Sequence, residues 1–359
     1  MPTFARARDA DVPQPVDLRS DTVTKPTPAM RRAMAEAVVG DDVKGEDPTT
    51  RRLEETVAEL LGLEAATFVP SGTQSNLCAL LAHCQRGDEY IVGRAMHTFR
   101  YEGGGASALG GIVACPLEER PDGSLDLGQV RRAVKPADDP HFPRSRLLCL
   151  ENTHCGRPLP LDAVDRALAV ARELGLAAHL DGARLWNAAV ALGAPPARIA
   201  RGFDTVSVCL SKGLGAPVGS VLAGDAATIR EARRWRKVLG GGMRQSGVIA
   251  AAGLVALEEG RERLAEDHRR ARTLAEGLGE LAGLELRWAA TNMVFLRCDQ
   301  SRTAELLAAL AERGVLADVE PGSIRLVVHH EVTDAGIDRA LDAFRAFAAG
   351  ARAADGARR

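Results

Sequence analysis

A lysine at the end of one strand, an aspartate at the end of the strand before it and a hydroxyl-rich turn at the mouth of a helix could do chemistry here by type and spacing. The lysine is Lys212, in FDTVSVCLSKGLGAPVGS: Val206, Val208 and Leu210 alternate as a strand that stops at Ser211, and Gly213, Gly215, Pro217 and Gly219 form the loop after it. An amine there, among glycines that let other groups approach closely, suits addition to a carbonyl compound as a Schiff base. The aspartate is Asp181, which closes the apolar run LAAHLD and is followed by Arg184. The turn is Ser71-Gly72-Thr73, between the apolar run Ala66 to Val69 and a helix carrying Leu77, Leu80 and Leu81 on one face. Backbone N–H groups at a helix start, with the positive end of its dipole, favour an anion such as phosphate. Taken singly, each has a plainer reading: Lys212 as a solvated lysine before a turn, and Ser71 or Thr73 as a helix cap.

The elements that position them change this. Strand and helix alternate along the chain, and 212 − 181 = 31 residues separate the acid from the amine, the length of one β–α–β crossover. The carboxyl ends of parallel strands share one edge of an open α/β sheet, so Asp181 and Lys212 are expected to face one crevice, with the turn at Ser71 opening onto it. An amine for an aldehyde, a carboxylate for a ring nitrogen and a seat for a phosphate are what pyridoxal phosphate requires. An α-amino acid substrate adds a carboxylate, for which Arg184 and Arg325, in IRLVVHH, are candidate clamps; Arg325 is otherwise a solvated strand-end charge. His97 follows the strand DEYIVG, where a lone histidine is usually structural, and His141 lies in the proline-flanked connection PADDPHFPRSR.

Composition narrows the class. The 359 residues carry a net charge of −2 with 26% charged side chains, which points to neither nucleic acid nor an anionic membrane as a general partner. Seven cysteines without a C-x-x-C pair suggest neither a disulfide framework nor a metal site. The N-terminal MPTFARARDADVPQPV lacks the apolar core of a signal peptide, and no stretch offers the about 18 apolar residues of a membrane span, so a soluble cytoplasmic protein is expected.

DLRSDTVTKPT, VGDDVKGEDPT, PSGTQSNL, ENTH, DGARLWNA, CLSKGLGAPVGS, RWRKVLGGGMRQSG and TNMVFLR, in this order, are similar to the motifs of the low-specificity L-threonine aldolases. That resemblance implies the aspartate aminotransferase-like (fold type I) architecture of pyridoxal enzymes: an α/β large domain with a mostly parallel central sheet and a smaller C-terminal α/β domain. It implies retro-aldol cleavage of L-threonine and L-allo-threonine to glycine and acetaldehyde, in a homotetramer whose active sites lie between subunits. It also implies roles. Lys212 matches the Schiff-base lysine, Asp181 the partner of the pyridine nitrogen and His97 the imidazole stacked on the cofactor ring. Ser71, Gly72 and Thr73 match the phosphate seat, to which Lys237 or Arg244 of a neighbouring subunit adds charge. Ser20, Arg184 and Arg325 match the carboxylate-binding set, and His141 a histidine reaching the β-hydroxyl side. The base for that hydroxyl is left among His97, His141 and a water. Two positions depart from the pattern: Lys44 stands where the family commonly has tyrosine, and Cys155 where it often has a small or amide residue. A β-eliminating lyase or an aminotransferase on the same fold is the alternative. A regulatory module fused to a DNA-binding region is disfavoured by the lack of a basic or helix-turn-helix segment before Asp17.

The expected organisation is an N-terminal extension (1–16), an arm and large domain (17–250), a small domain (251–349) and a polar tail without fixed structure (350–359). The run Arg233, Arg234, Arg236 and Lys237 reads mainly as a solvated helix face. SGVIAAAGLVALEEG and RERLAEDHRRARTLAEGLGELAG read as two helices broken near Gly260.

Overall fold

Strands that are followed by a crossover helix return parallel to one another, and the central sheet is built that way except at one place. The computed structural model describes residues 14–320 and 322–356. From one edge the seven strands are Ala65–Val69, Ser220–Gly224, Thr205–Cys209, Ala177–Gly182, Arg144–Glu151, Asp88–Gly93 and Val113–Leu117. Ser220–Gly224 alone among the seven runs against the direction of the other six. The loop between Cys209 and Ser220 has no room for a crossover helix, so the chain turns straight back. This strand is not legible in SVLAG, which lacks a period-2 pattern. Because helices cover both faces, the inner strands bury apolar residues along their length: Phe68, Ile91, Leu148, Leu180, Val206 and Val221 are all buried.

The smaller sheet is antiparallel, in the order Asp318–Glu320, Ser323–Val327, Met293–Cys298 and Leu284–Ala290. Its core of Leu274, Leu278, Leu296, Leu326 and Phe344 also takes in Val16 and Leu18 of the N-terminal arm. Val16–Asp17 pairs in parallel with Val315–Leu316, and the Val327 N–H donates to the Leu18 carbonyl at 2.8 Å. The arm that the sequence groups with the large domain therefore begins inside the smaller core.

No break occurs at Gly260. The helices Gly247–Val255 and Arg261–Gly279 are joined by a π-helical segment, Ala256–Gly260, into one rod. Leu257 and Leu264 pack in the large core, and Ala271 and Leu274 in the small one, so the rod carries the chain from one to the other. Glycine suits residue 260 because a Cβ there would lie 2.8 Å from the Leu214 carbonyl oxygen, which keeps the rod close to the loop after Lys212. The last helix, Asp334–Gly356, continues past the boundary placed at 349, as its alanine-rich sequence favours. Most of the N-terminal extension and the last three residues of the tail lie outside the described residues.

Candidate active site

Three adjacent parallel strands deliver the floor of the crevice. Glu151 pairs in register with Asp181, and Asp181 with Ser207, at the carboxyl edge of the sheet. The strand Thr205–Cys209 then leads through Leu210 and Ser211 to Lys212. Lys212, Asp181, His97, Arg184 and Arg325 line one crevice, together with Glu151, Tyr101, Cys155, Met293 and Phe295. The expected convergence of amine, carboxylate, imidazole and guanidinium groups is thus present within a single chain.

Asp181 is buried and oriented by two donors: Asn76 Nδ2 at 2.9 Å to Oδ2 and the Ala183 N–H at 3.0 Å to Oδ1. Asn76 lies one turn into the helix Gly72–His83, so the same helix that starts at the Ser71 turn reaches the crevice floor. Ser71 Oγ accepts the Gln74 N–H at 3.2 Å, which makes it the helix cap as well. A Cβ at Gly72 would lie 2.9 Å from Cys209 Sγ, so glycine sets the helix start against the strand that ends at Lys212. Capping by Ser71 leaves the first N–H groups of the helix for an external acceptor.

His97 opens a short helix, His97–Arg100, just past Asp88–Gly93. Its N–H donates to Glu151 Oε2 at 2.6 Å, and its Nδ1 bonds Glu102 Oε1 at 2.8 Å. The Glu102 bond raises the His97 imidazole above its ordinary range, against the opposing effect of burial. Burial in turn raises the Glu102 carboxyl, as does the nearby Asp181. A ring nitrogen of His97 and one carboxylate oxygen each of Glu102 and Asp181 lie within 4.8 Å of one another. Asn76 ties the two carboxylates by giving its second Nδ2 hydrogen to Glu102 at 2.7 Å.

The clamp residues are already engaged. Arg184 forms a fork with the fully buried Asp21, Nε to Oδ2 at 2.8 Å and Nη2 to Oδ1 at 2.6 Å. Burial would raise the Asp21 carboxyl, but Arg184, with Lys212 and Asn292 behind it, outweighs that and holds it below the carboxylate range. Arg325 bonds Glu320, and its Nη2 donates to the Arg19 carbonyl at 3.2 Å, while its Nε is buried without a partner among the described residues. Ser20 lies between these two anchor points, its Oγ accepting from Thr22 Oγ1 at 2.8 Å.

Seven predicted residues are not part of this crevice's lining within the chain: Ser20 and the turn Ser71, Gly72 and Thr73, which stand next to it, and His141, Lys237 and Arg244, which lie away from it. His141 is exposed in its connection and bonds Asp139 at 2.7 Å. Lys237 lies along a separate groove with Asp42 and Lys44, and Arg244 pairs with Asp41 at 2.9 Å. The helix face around Lys237 is also less solvated than its sequence suggests: Arg236 is buried, donating to the Phe68 carbonyl at 2.6 Å and pairing with Asp42 at 2.8 Å. Glu151 lines the crevice, and Asp21, Asn76 and Glu102 stand behind it, bonded to Arg184, Asp181 and His97; none of the four was singled out from the sequence as a site residue.

An amine, a carboxylate fixed by two donors and a helix start on the same sheet edge fit pyridoxal phosphate. Asp181 would hold its ring nitrogen, Lys212 its aldehyde carbon and the Ser71-Gly72-Thr73 turn its phosphate.

Residues 17–301 match the beta-eliminating lyase family. The chain is 49% identical, over 93% of its length and 99% of the relative, to the low specificity L-threonine aldolase of Escherichia coli. It is 48% identical to low-specificity L-threonine aldolase 1 of Arabidopsis thaliana, over 92% of this chain and 95% of that one. Among solved structures, the threonine aldolase of Leishmania major superposes with a TM-score of 0.80 at 23% identity, covering 93% of this chain and all of that one, 100%.

Proposed function

The chain belongs to the beta-eliminating lyase family and, within it, to the low-specificity L-threonine aldolases, and from that premise we propose how its crevice cleaves β-hydroxy-α-amino acids into glycine and an aldehyde. The observation that carries the reading is the opening of Lys212, Asp181, His97, Arg184 and Arg325 onto one crevice. Pyridoxal phosphate, when bound, supplies an electron-withdrawing ring conjugated to the substrate nitrogen, which accepts the electrons of a breaking Cα–Cβ bond.

The chain's own residues set the geometry for that bond. Arg325, whose Nε has no partner among the described residues, and Arg184, held in place by Asp21, bind the substrate carboxylate. Asp181 holds negative charge at the floor, fixed by Asn76 and Ala183. His97 has Nδ1 committed to Glu102, which leaves Nε2 to take the β-hydroxyl proton directly or through a water. Assistance of this kind is typically worth about 10²–10⁴-fold in rate.

Assembly as a cytoplasmic homotetramer fits the same reading. Lys237, Arg244 and His141 stand outside this chain's crevice, so they serve a site only as contributions to a neighbouring subunit; His97 or a water is the base available within the chain. Among the described residues no helix is long and apolar enough to cross a membrane.

Aldehyde release from the four threonine stereoisomers, with and without added pyridoxal phosphate, tests the function. Acetaldehyde and glycine from both L isomers are expected. Release of 2-oxobutyrate and ammonia instead would favour a β-eliminating lyase.

A further inference from the structure

Four residues past the strand Arg144–Glu151, the crevice carries a thiol beside an imidazole that the cleavage reaction does not use. Cys155 lines the crevice beside Met293, Phe295 and Tyr101. Its Sγ lies 4.0 Å from Nε2 of the buried His154, whose Nδ1 bonds Glu151 Oε1 at 2.9 Å. The other Glu151 oxygen accepts the His97 N–H, so one carboxylate orients both the imidazole behind the thiol and the helix bearing His97. Thiol, imidazole and orienting carboxylate in that order are the arrangement that activates a cysteine nucleophile. Burial would push the His154 imidazole down, but Cys155 and Glu151 outweigh it and raise it to about 10.

The backbone supports a placed side chain. Cys155 has φ of 48°, a left-handed conformation that few residues other than glycine adopt, and the Trp288 indole N–H donates to its carbonyl at 3.2 Å. Strain of this kind persists where surrounding contacts impose it, and it concentrates at functional sites.

We propose that Cys155 is a reversible covalent site for the aldehyde released in this crevice, a reading that rests on the cleavage activity proposed above. The Cys155 sulfur bonds to the carbonyl carbon, the C=O π pair moves to oxygen, and the proton shared between Sγ and His154 Nε2 ends on that oxygen. The product is a thiohemiacetal; no oxidant or reductant is involved, and reversal restores thiol and aldehyde. Met293 and Phe295 give the aldehyde's alkyl group an apolar wall. Occupation of the site would retain aldehyde beside Lys212 and His97, slowing its escape and inhibiting further turnover.

Carbon-13-labelled acetaldehyde added to the holoenzyme, followed by carbon NMR, tests this. The wild type is expected to give a signal from a carbon bonded to both sulfur and oxygen, distinct from free aldehyde and its hydrate. Cys155→Ser should lose that signal, and so should Cys155→Asn, which keeps a residue tolerant of the left-handed backbone. Inhibition of L-threonine cleavage by added acetaldehyde should weaken by about tenfold or more in both variants. A wild-type spectrum without the signal, or a signal surviving in both variants, overturns the proposal. Because the aldehyde is supplied, failure of the cleavage assay beside a positive NMR result would count against the cleavage reading alone.

Discussion

Asn76 joins Glu102 to Asp181: one side-chain nitrogen donates to both carboxylates, at 2.7 and 2.9 Å. Its Oδ1 must then be an acceptor, and it accepts from His179 Nε2 at 3.1 Å. His179, pushed down to about 4 by burial, is neutral, so its Nδ1 accepts from Thr205 Oγ1 at 2.9 Å. Thr205 Oγ1 in turn has His83 Nε2 at 3.0 Å. Every donor in this buried chain is aimed towards the crevice floor.

Asn76→Ala therefore strips both carboxylates of a shared donor. Leaving a buried polar group unsatisfied costs about 1–3 kcal/mol. A lower melting temperature and weaker binding of pyridoxal phosphate to the apoenzyme, measured by spectroscopic titration, are expected. Wild-type affinity and stability would mean that Asn76 does not fix the floor.

Asp21 anchors Arg184 from the N-terminal arm. Removing one partner of a buried pair costs about 3–5 kcal/mol, because the other charge is left uncompensated. Asp21→Ala should lower the melting temperature, and the loosened guanidinium should raise KM for L-threonine more than it lowers kcat. An unchanged KM would remove Arg184 from carboxylate binding.

Glu102 sets the protonation of His97. The His97 imidazole is raised chiefly by the Glu102 bond, so it stays protonated to a higher pH than an ordinary histidine with its value of 6.5. If neutral His97 takes the hydroxyl proton, activity falls as pH drops through that raised value. Glu102→Gln removes the anion, so the acid-side inflection of kcat should move to lower pH. An inflection that stays in place would assign the base to another group.

That Lys212 and Asp181 share one crevice was legible because each sits where a hydrophobic period ends, and strand ends gather at one sheet edge; His97, a lone histidine past a strand, was singled out only through the family resemblance. Asp21 and Asn76 were not legible, since their importance comes from partners 163 and 105 residues away. Glu102, in the glycine-rich stretch after His97, offered only proximity in sequence. Arg236 was misread because a helix face of four basic residues looks solvated until Asp42 and the Phe68 carbonyl are brought against it. The rod through Gly260 was misread for a similar reason: glycine signals a break, but here it allows contact with Leu214.

The central claim is that Lys212 is the amine on which the crevice depends. Purified Lys212→Ala should show neither the visible absorbance of lysine-bound pyridoxal phosphate nor measurable acetaldehyde release from L-threonine. A variant that kept both the absorbance and full cleavage would contradict the account.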